Sequence, residues 1–174
     1  HVAVRRQRQM CIRDRIISAQ RNNQESLNFI KFNFDKIENP NEKILFDVAN
    51  FYKKAKNYEE AISYYSKIIE NLDDNSDIKS DILYRRGGTY ERIKNYEKAD
   101  KDLIDALQIT PDDAYILNYL AYSWLERDYK INEAIKMLET AYELESDDPY
   151  IIDSIGWAYY LTDDYPRAEK FLKR

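Results

Sequence analysis

Glycine and proline are scarce in this chain, with three and four respectively among 174 residues. A many-stranded sheet needs a tight turn between each pair of strands, so this shortage points instead to long helices joined by short turns. Cysteine and histidine each occur once, as Cys11 and His1. A lone thiol excludes an internal disulfide. With these two terminal residues set aside, neither a cysteine-based metal site nor a Ser–His or Cys–His catalytic pair can be assembled. Gly87 and Gly88 lack the lysine and the spacing of a phosphate loop. No apolar run approaches the roughly 18 residues that a membrane-spanning helix needs. These absences predict no catalytic residues, no metal, no cofactor, no enzyme activity and no direct membrane insertion. Hydrophobic residues make up 44% and charged residues 34%, the balance of a globular chain rather than a disordered one.

The first fifteen residues, HVAVRRQRQMCIRDR, differ in character from the rest, and the chain does not begin with methionine. They hold five arginines, the one cysteine and the one histidine. RRQRQMCIRDR resembles translated sequencing-adapter read-through, with a genuine basic arm as the competing reading. Residues 1–15 are therefore taken as non-native or disordered and left out of the fold reasoning. Without their five arginines and one aspartate, 22 basic residues face 31 acidic ones, a net charge of −9. An acidic body argues against nucleic acid, whose phosphates demand a basic footprint.

What the chain does have is self-similarity. NYEEA at 57–61 returns as NYEKA at 95–99, with looser echoes in INEA at 131–134 and DDYPRA at 163–168. The alanines that close these stretches, Ala61, Ala99, Ala134 and Ala168, are 38, 35 and 34 residues apart. Around Ala99, the residues Leu83, Gly87 and Tyr90 fall on one face of a first helix. Asn95 is placed to cap a second helix with Ala99, Leu103 and Ala106 as its inner stripe, and Pro111 prevents its continuation.

This unit resembles the tetratricopeptide repeat, a 34-residue helix–turn–helix. That pattern has a large residue at position four, a small one at eight, an aromatic at eleven and alanine at twenty. Counted from Glu42, the matches are Leu45, Ala49, Tyr52, Ala61 and Tyr65. From Ala114 they are Leu117, Ala121, Trp124, Ala134 and Leu138, with one extra residue in ERDYKIN. From Pro149 they are Ile152, Gly156, Tyr159, Ala168 and Leu172. NLDDNSDIKS adds four residues between the first two units.

The resemblance implies an all-α right-handed superhelix of antiparallel helix pairs over residues 42–174, with units starting near 42, 80, 114 and 149. Helices are predicted at 43–55, 58–71, 78–93, 96–108, 113–127, 132–144, 149–161 and 165–173. The last unit stops in mid-helix, and an apolar face is expected on its final helix. Residues 16–41 read as the remnant of a preceding repeat, with Leu27, Ile30, Phe34 and Ile37 at helical spacing.

In this family the first helices line a concave groove, which implies a protein-interaction scaffold that binds a peptide or protein segment there. A spacer without a ligand is the alternative. Carried over position by position, the groove residues of the first unit are Phe46, Asp47, Asn50, Lys53 and Lys54. Those of the second are Tyr84, Arg85, Gly88, Glu91 and Arg92. The later units supply Tyr115, Asn118, Tyr119 and Tyr122, then Tyr150, Asp153, Trp157 and Tyr160. Aromatics on a rigid face bury much area at small entropic cost, so they are the expected anchors for a partner. Arg85, Arg92, Lys53 and Lys54 are candidates to receive a partner carboxylate. The carboxylate clamp of chaperone-binding members is not expected: Asn50 fits one position, but Phe46, Arg85, Tyr115 and Tyr119 occupy the others. Tyr58, Tyr96 and Tyr165 open the second helices and are expected to pack between units. The aspartate pairs at 73–74, 112–113, 147–148 and 163–164 are expected to cap helices. The last two units are also similar to repeats of bacterial envelope adaptors. That likeness favours the periplasmic side of the envelope over the cytoplasm and leaves localisation open.

Overall fold

In each repeating unit the first helix ends on the same backbone device. Schellman motifs close α1 (Glu42–Lys54), α3 (Asp77–Arg92), α5 (Ala114–Glu126) and α7 (Pro149–Leu161). Asn57, Asn95, Tyr129 and Asp164 donate their N–H to the carbonyls of Tyr52, Tyr90, Trp124 and Tyr159, each at 2.9 Å. The residue before each donor takes a left-handed conformation, with φ of 62° at Lys56, 59° at Lys94, 53° at Asp128 and 59° at Asp163. The backbone carbonyl of the aromatic at position eleven thus anchors the turn. The extra residue in ERDYKIN is absorbed by a second left-handed residue, Lys130 at φ 45°.

A computed structural model describes residues 40–74 and 76–173. Its remaining helices are α2 (Tyr58–Ile69), α4 (Tyr96–Ile109), α6 (Ile131–Leu144) and α8 (Tyr165–Leu172), and no strand occurs among the described residues. The expected all-α class holds, and every predicted helix is present with ends within two residues of those the sequence predicts. The remnant helix assigned to residues 24–37 and the segment 1–15 lie outside the described residues.

The described residues divide into two compact units, one up to Asp102 and one from Leu103 onward. In the first, α1 packs on α2 and α2 on α3. Ile44, Leu45, Val48, Ala49, Tyr52, Ala61, Tyr65 and Ile68 form its core. In the second, α5 packs on α6, α6 on α7 and α7 on α8. Ala114, Leu117, Ala141 and Ile151 form one buried cluster there. The alanines at position twenty are all buried, because helices can approach closely only where the side chain is small.

Two core positions differ from the sequence-based pattern. Ile152 is only half-buried, whereas Ile151 beside it is fully buried. The same is true of the preceding column: Ile44, Ile82, Ile116 and Ile151, at position three of each unit, are all buried. Leu172 is 49% exposed, although Tyr65, Leu103 and Leu138 at the same position are 0%, 1% and 0% exposed. The apolar face expected on the final helix is therefore present and open.

Capping follows the predicted aspartates in three of the four pairs. Asp113 accepts from the N–H groups of Tyr115 and Ile116, and Asp148 from those of Tyr150 and Ile151. Asp164 accepts from Arg167 N–H. Asn95 caps α4 through Lys98 N–H, as the sequence suggests. Asp74 does otherwise and holds Lys79 at 2.5 Å.

Candidate functional site

The first unit presents a charged face. Asn50 Oδ1 accepts the Tyr65 hydroxyl at 2.6 Å, which ties α1 to α2 from within. On α3, the Arg85 guanidinium donates to both oxygens of Asp81 at 3.1 and 2.9 Å and lies 5.0 Å above the Phe46 ring. Burial, and then the nearby Arg85 and Arg92 guanidiniums, hold the Lys53 ammonium below its ordinary pKa. Tyr84 is half-buried and Arg92 exposed. Asn50, Tyr84, Arg85 and Arg92 thus sit on α1 and α3 with Lys53 among them, as a cationic group interleaved with Asp81 and Glu91.

The second unit differs in kind. Tyr115, Tyr122 and Tyr160 are 53%, 41% and 50% exposed, unusual for rings on otherwise well-packed helices. Trp157 stacks on Tyr160 at 5.4 Å, and Tyr160 meets the edge of Tyr165 at 5.8 Å. Asn118, Tyr119 and Trp157 are half-buried, and Asp153 is exposed. Asn118 Oδ1 and Trp157 Nε1 are buried with no hydrogen-bond partner among the described residues. Asp148 stands close to the Tyr115 hydroxyl, and Glu126 and Asp153 stand close to that of Tyr122. The carboxylates of Asp148, Glu145 and Asp113 raise the pKa of Tyr115. Burial, then Glu126 and Asp153, raises that of Tyr122.

Tyr165, expected to pack between units, is 55% exposed and bonds instead to Asp163 at 2.6 Å. With Tyr160, Pro166, Ala168, Glu169 and Leu172 it lines an open cavity of about 520 Å³. The expected groove residues did not include Glu126 or the capping residue Asp148, yet both act on tyrosine hydroxyls of this face. Only Glu126 occupies a groove position, the thirteenth of its unit, so it was within reach of the sequence pattern.

The buried ion pair of the first unit was also missed. Arg86 on α3 donates to both oxygens of Asp102 on α4 at 2.7 and 2.8 Å, and to Ser66 Oγ on α2 at 2.9 Å. It joins three helices across successive repeats and is structural. Among the described residues, no group of three or more His, Cys, Asp or Glu side chains is placed to hold a metal, and no helix is long and apolar enough to cross a membrane.

A family model for the tetratricopeptide repeat matches residues 42–71 and 80–113. A TPR repeat-containing protein of Pseudomonas aeruginosa is 33% identical over 93 residues, which is 53% of this chain and 16% of that protein. The chain thus spans only about a sixth of that relative's length. Among solved structures, MamA from Desulfovibrio magneticus superposes with a TM-score of 0.76 at 18% identity, covering 95% of this chain and 92% of that one. The pilF protein of Pseudomonas aeruginosa gives 0.74 at 17%, covering 97% and 75%. A structure of nearly identical TPR-like repeats from Podosopora anserina gives 0.73 at 13%, covering 99% and 93%. At these identities the likeness is one of fold. Four helix pairs with the same core positions and the same closing turn, two of them matched by the repeat model, give the described residues the all-α helix–turn–helix fold of tetratricopeptide repeats.

Proposed function

We propose that the chain binds a protein or peptide segment on the aromatic face of α5 and α7. The contacts assigned to it are Tyr115, Asn118, Tyr119, Tyr122, Asp153, Trp157 and Tyr160, with Asn50, Tyr84, Arg85 and Arg92 forming the corresponding face of the first unit. The observation that carries this reading is the exposure of Tyr115, Tyr122 and Tyr160 beside the Trp157–Tyr160 stack. The repeat core does not require those rings: position nine is Asn50 in the first repeat and Gly88 in the second repeat, against Tyr122 and Trp157 in the third and fourth. Large rings with few rotatable bonds, fixed on rigid helices, make good anchors because little entropy is lost when they are covered.

The test uses a partner isolated on the immobilised chain and then purified, with affinity measured by calorimetry. Trp157→Ala is expected to weaken binding at least tenfold while the helical circular dichroism stays unchanged. Should that variant lose its helical signal, Tyr122→Ala, at a more exposed position, takes its place with the same expectation. Parent-like affinity in both would remove the aromatic face from the binding surface and leave the spacer reading.

A further inference from the structure

The two first helices of the second unit contain no lysine and no arginine: α5 reads AYILNYLAYSWLE and α7 reads PYIIDSIGWAYYL. Those of the first unit are different, with Lys43, Lys53 and Lys54 on α1 and Lys79, Arg85, Arg86 and Arg92 on α3. The cations of the second unit lie on the turns and second helices, and several are engaged there. Arg127 donates to the Ser123 carbonyl, and Lys130 lies 4.7 Å from the Trp124 ring centroid. Arg167 pairs with Asp164 at 2.5 Å, and Lys173 pairs with Glu169.

The carboxylates are distributed the other way. Asp113 and Asp148 stand at the N-termini of α5 and α7, Glu126 ends α5, and Asp153 is exposed one turn into α7. The charged groups that act on the Tyr115 and Tyr122 hydroxyls are Asp113, Glu126, Glu145, Asp148 and Asp153, all anionic. Exposed rings edged by carboxylates attract a cation twice, through the ring face and through charge-assisted hydrogen bonds. A carboxylate beside a tyrosine hydroxyl still has lone pairs to offer a lysine or arginine.

On this charge complementarity we infer that the segment bound by α5 and α7 is cationic: a lysine- or arginine-bearing stretch of a partner protein, its apolar groups on Tyr122, Trp157 and Tyr160 and its charges on Asp153, Glu126 and Asp148. This inference rests on the proposal that the aromatic face is the binding surface, and it specifies the chemistry of the partner.

Two fluorescein-labelled peptides, acetyl-(Leu-Lys)5-amide and acetyl-(Leu-Glu)5-amide, match in apolar content and differ in sign. Their affinities for the full chain are measured by anisotropy at about 50 and 300 mM salt. The lysine peptide is expected to bind at least tenfold more tightly at low salt and to lose most of that advantage at high salt. Glu126→Gln with Asp153→Asn should remove most of the preference, whereas Glu59→Gln on α2 with Glu70→Gln at its C-cap should not. Equal losses in the two double variants would reduce the attraction to net charge and overturn the inference. If the glutamate peptide binds as well and both peptides depend on Trp157 and Tyr122, the aromatic face stands and the cationic assignment falls. If neither peptide responds to Trp157→Ala or Tyr122→Ala, the binding surface itself is misassigned.

Discussion

Arg86 and Asp102 form a two-bond ion pair between α3 and α4, with the Asp102 side chain only 5% exposed and that of Arg86 18%. Coulomb attraction between such groups is largely offset by the cost of stripping water from both, so the pair is not a large net source of stability. Removing one partner is another matter, because the remaining charge is left buried. Asp102→Leu alone is expected to cost about 3–5 kcal/mol, and Arg86→Met with Asp102→Leu clearly less than the sum of the two single changes. Urea denaturation of the parent, both single variants and the double variant closes the cycle. Additive losses would mean that the pair contributes no coupling.

The left-handed residue in each closing turn is lysine or aspartate, although glycine adopts that conformation without a Cβ clash. The strain of a side chain there exceeds the extra chain entropy that glycine loses on folding. Lys94→Gly should therefore stabilise the chain by about 0.5–1 kcal/mol. Lys67→Gly, in the body of α2, should cost about 1 kcal/mol. Thermal melts of the two variants test the contrast, and a lower melting temperature for Lys94→Gly would count against the turn assignment.

Gly156 lets α8 lie directly against α7. A Cβ at this position would stand 2.7 Å from Leu172 Cδ2, 2.8 Å from Leu172 Cγ and 3.2 Å from Phe171 Cβ. Overpacking of this kind costs about 1–3 kcal/mol, and a β-branched chain cannot rotate away from it. Gly156→Val is expected to destabilise by about 2 kcal/mol, and adding Leu172→Ala should recover part of the loss. No recovery would show that the crowding lies elsewhere.

Burial pushes the Tyr65 phenol up to about 12. An unfolded tyrosine ionises near 10. Below about pH 10 both states keep the proton, and the contribution of this group is fully present. Between about 10 and 12 only the unfolded chain releases it, so stability falls as pH rises, by roughly 2–3 kcal/mol from this group. Tyr65→Phe should flatten that fall. At neutral pH it should cost about 1 kcal/mol, because Asn50 Oδ1 loses its donor. Denaturant titrations at several alkaline pH values separate the two effects, and an equally steep fall in the phenylalanine variant would exclude Tyr65 as its source.

Helix positions and most of the core were legible because they follow from period and side-chain size. Ala61, Ala99, Ala134 and Ala168 recur at fixed places, and close helix approach explains each. The Arg86–Asp102 pair was not legible: a surface arginine and a buried one read alike in a sequence, and the two residues stand sixteen positions apart. Tyr165 shares a repeat position with Tyr58 and Tyr96, so its pattern alone suggested packing, yet it is exposed beside Tyr160. The aromatic character of α5 and α7 was plain in the letters. The carboxylates around Tyr115 were harder to read, because Glu145 and Asp148 come from the turn between α6 and α7 and reach that ring only in the folded chain.

The closing turns have a consequence for how such a chain can diverge. Their closing hydrogen bonds are made by backbone groups alone, and Lys56, Lys94, Asp128 and Asp163 are all exposed, with Asp163 alone among them accepting the hydroxyl of Tyr165. The first three repeats therefore each offer one site whose charge can be exchanged without disturbing the helices on either side. The two earlier repeats carry a positive residue at that site and the two later ones a negative residue. Surface potential can thus be rewritten repeat by repeat while the packing pattern stays the same.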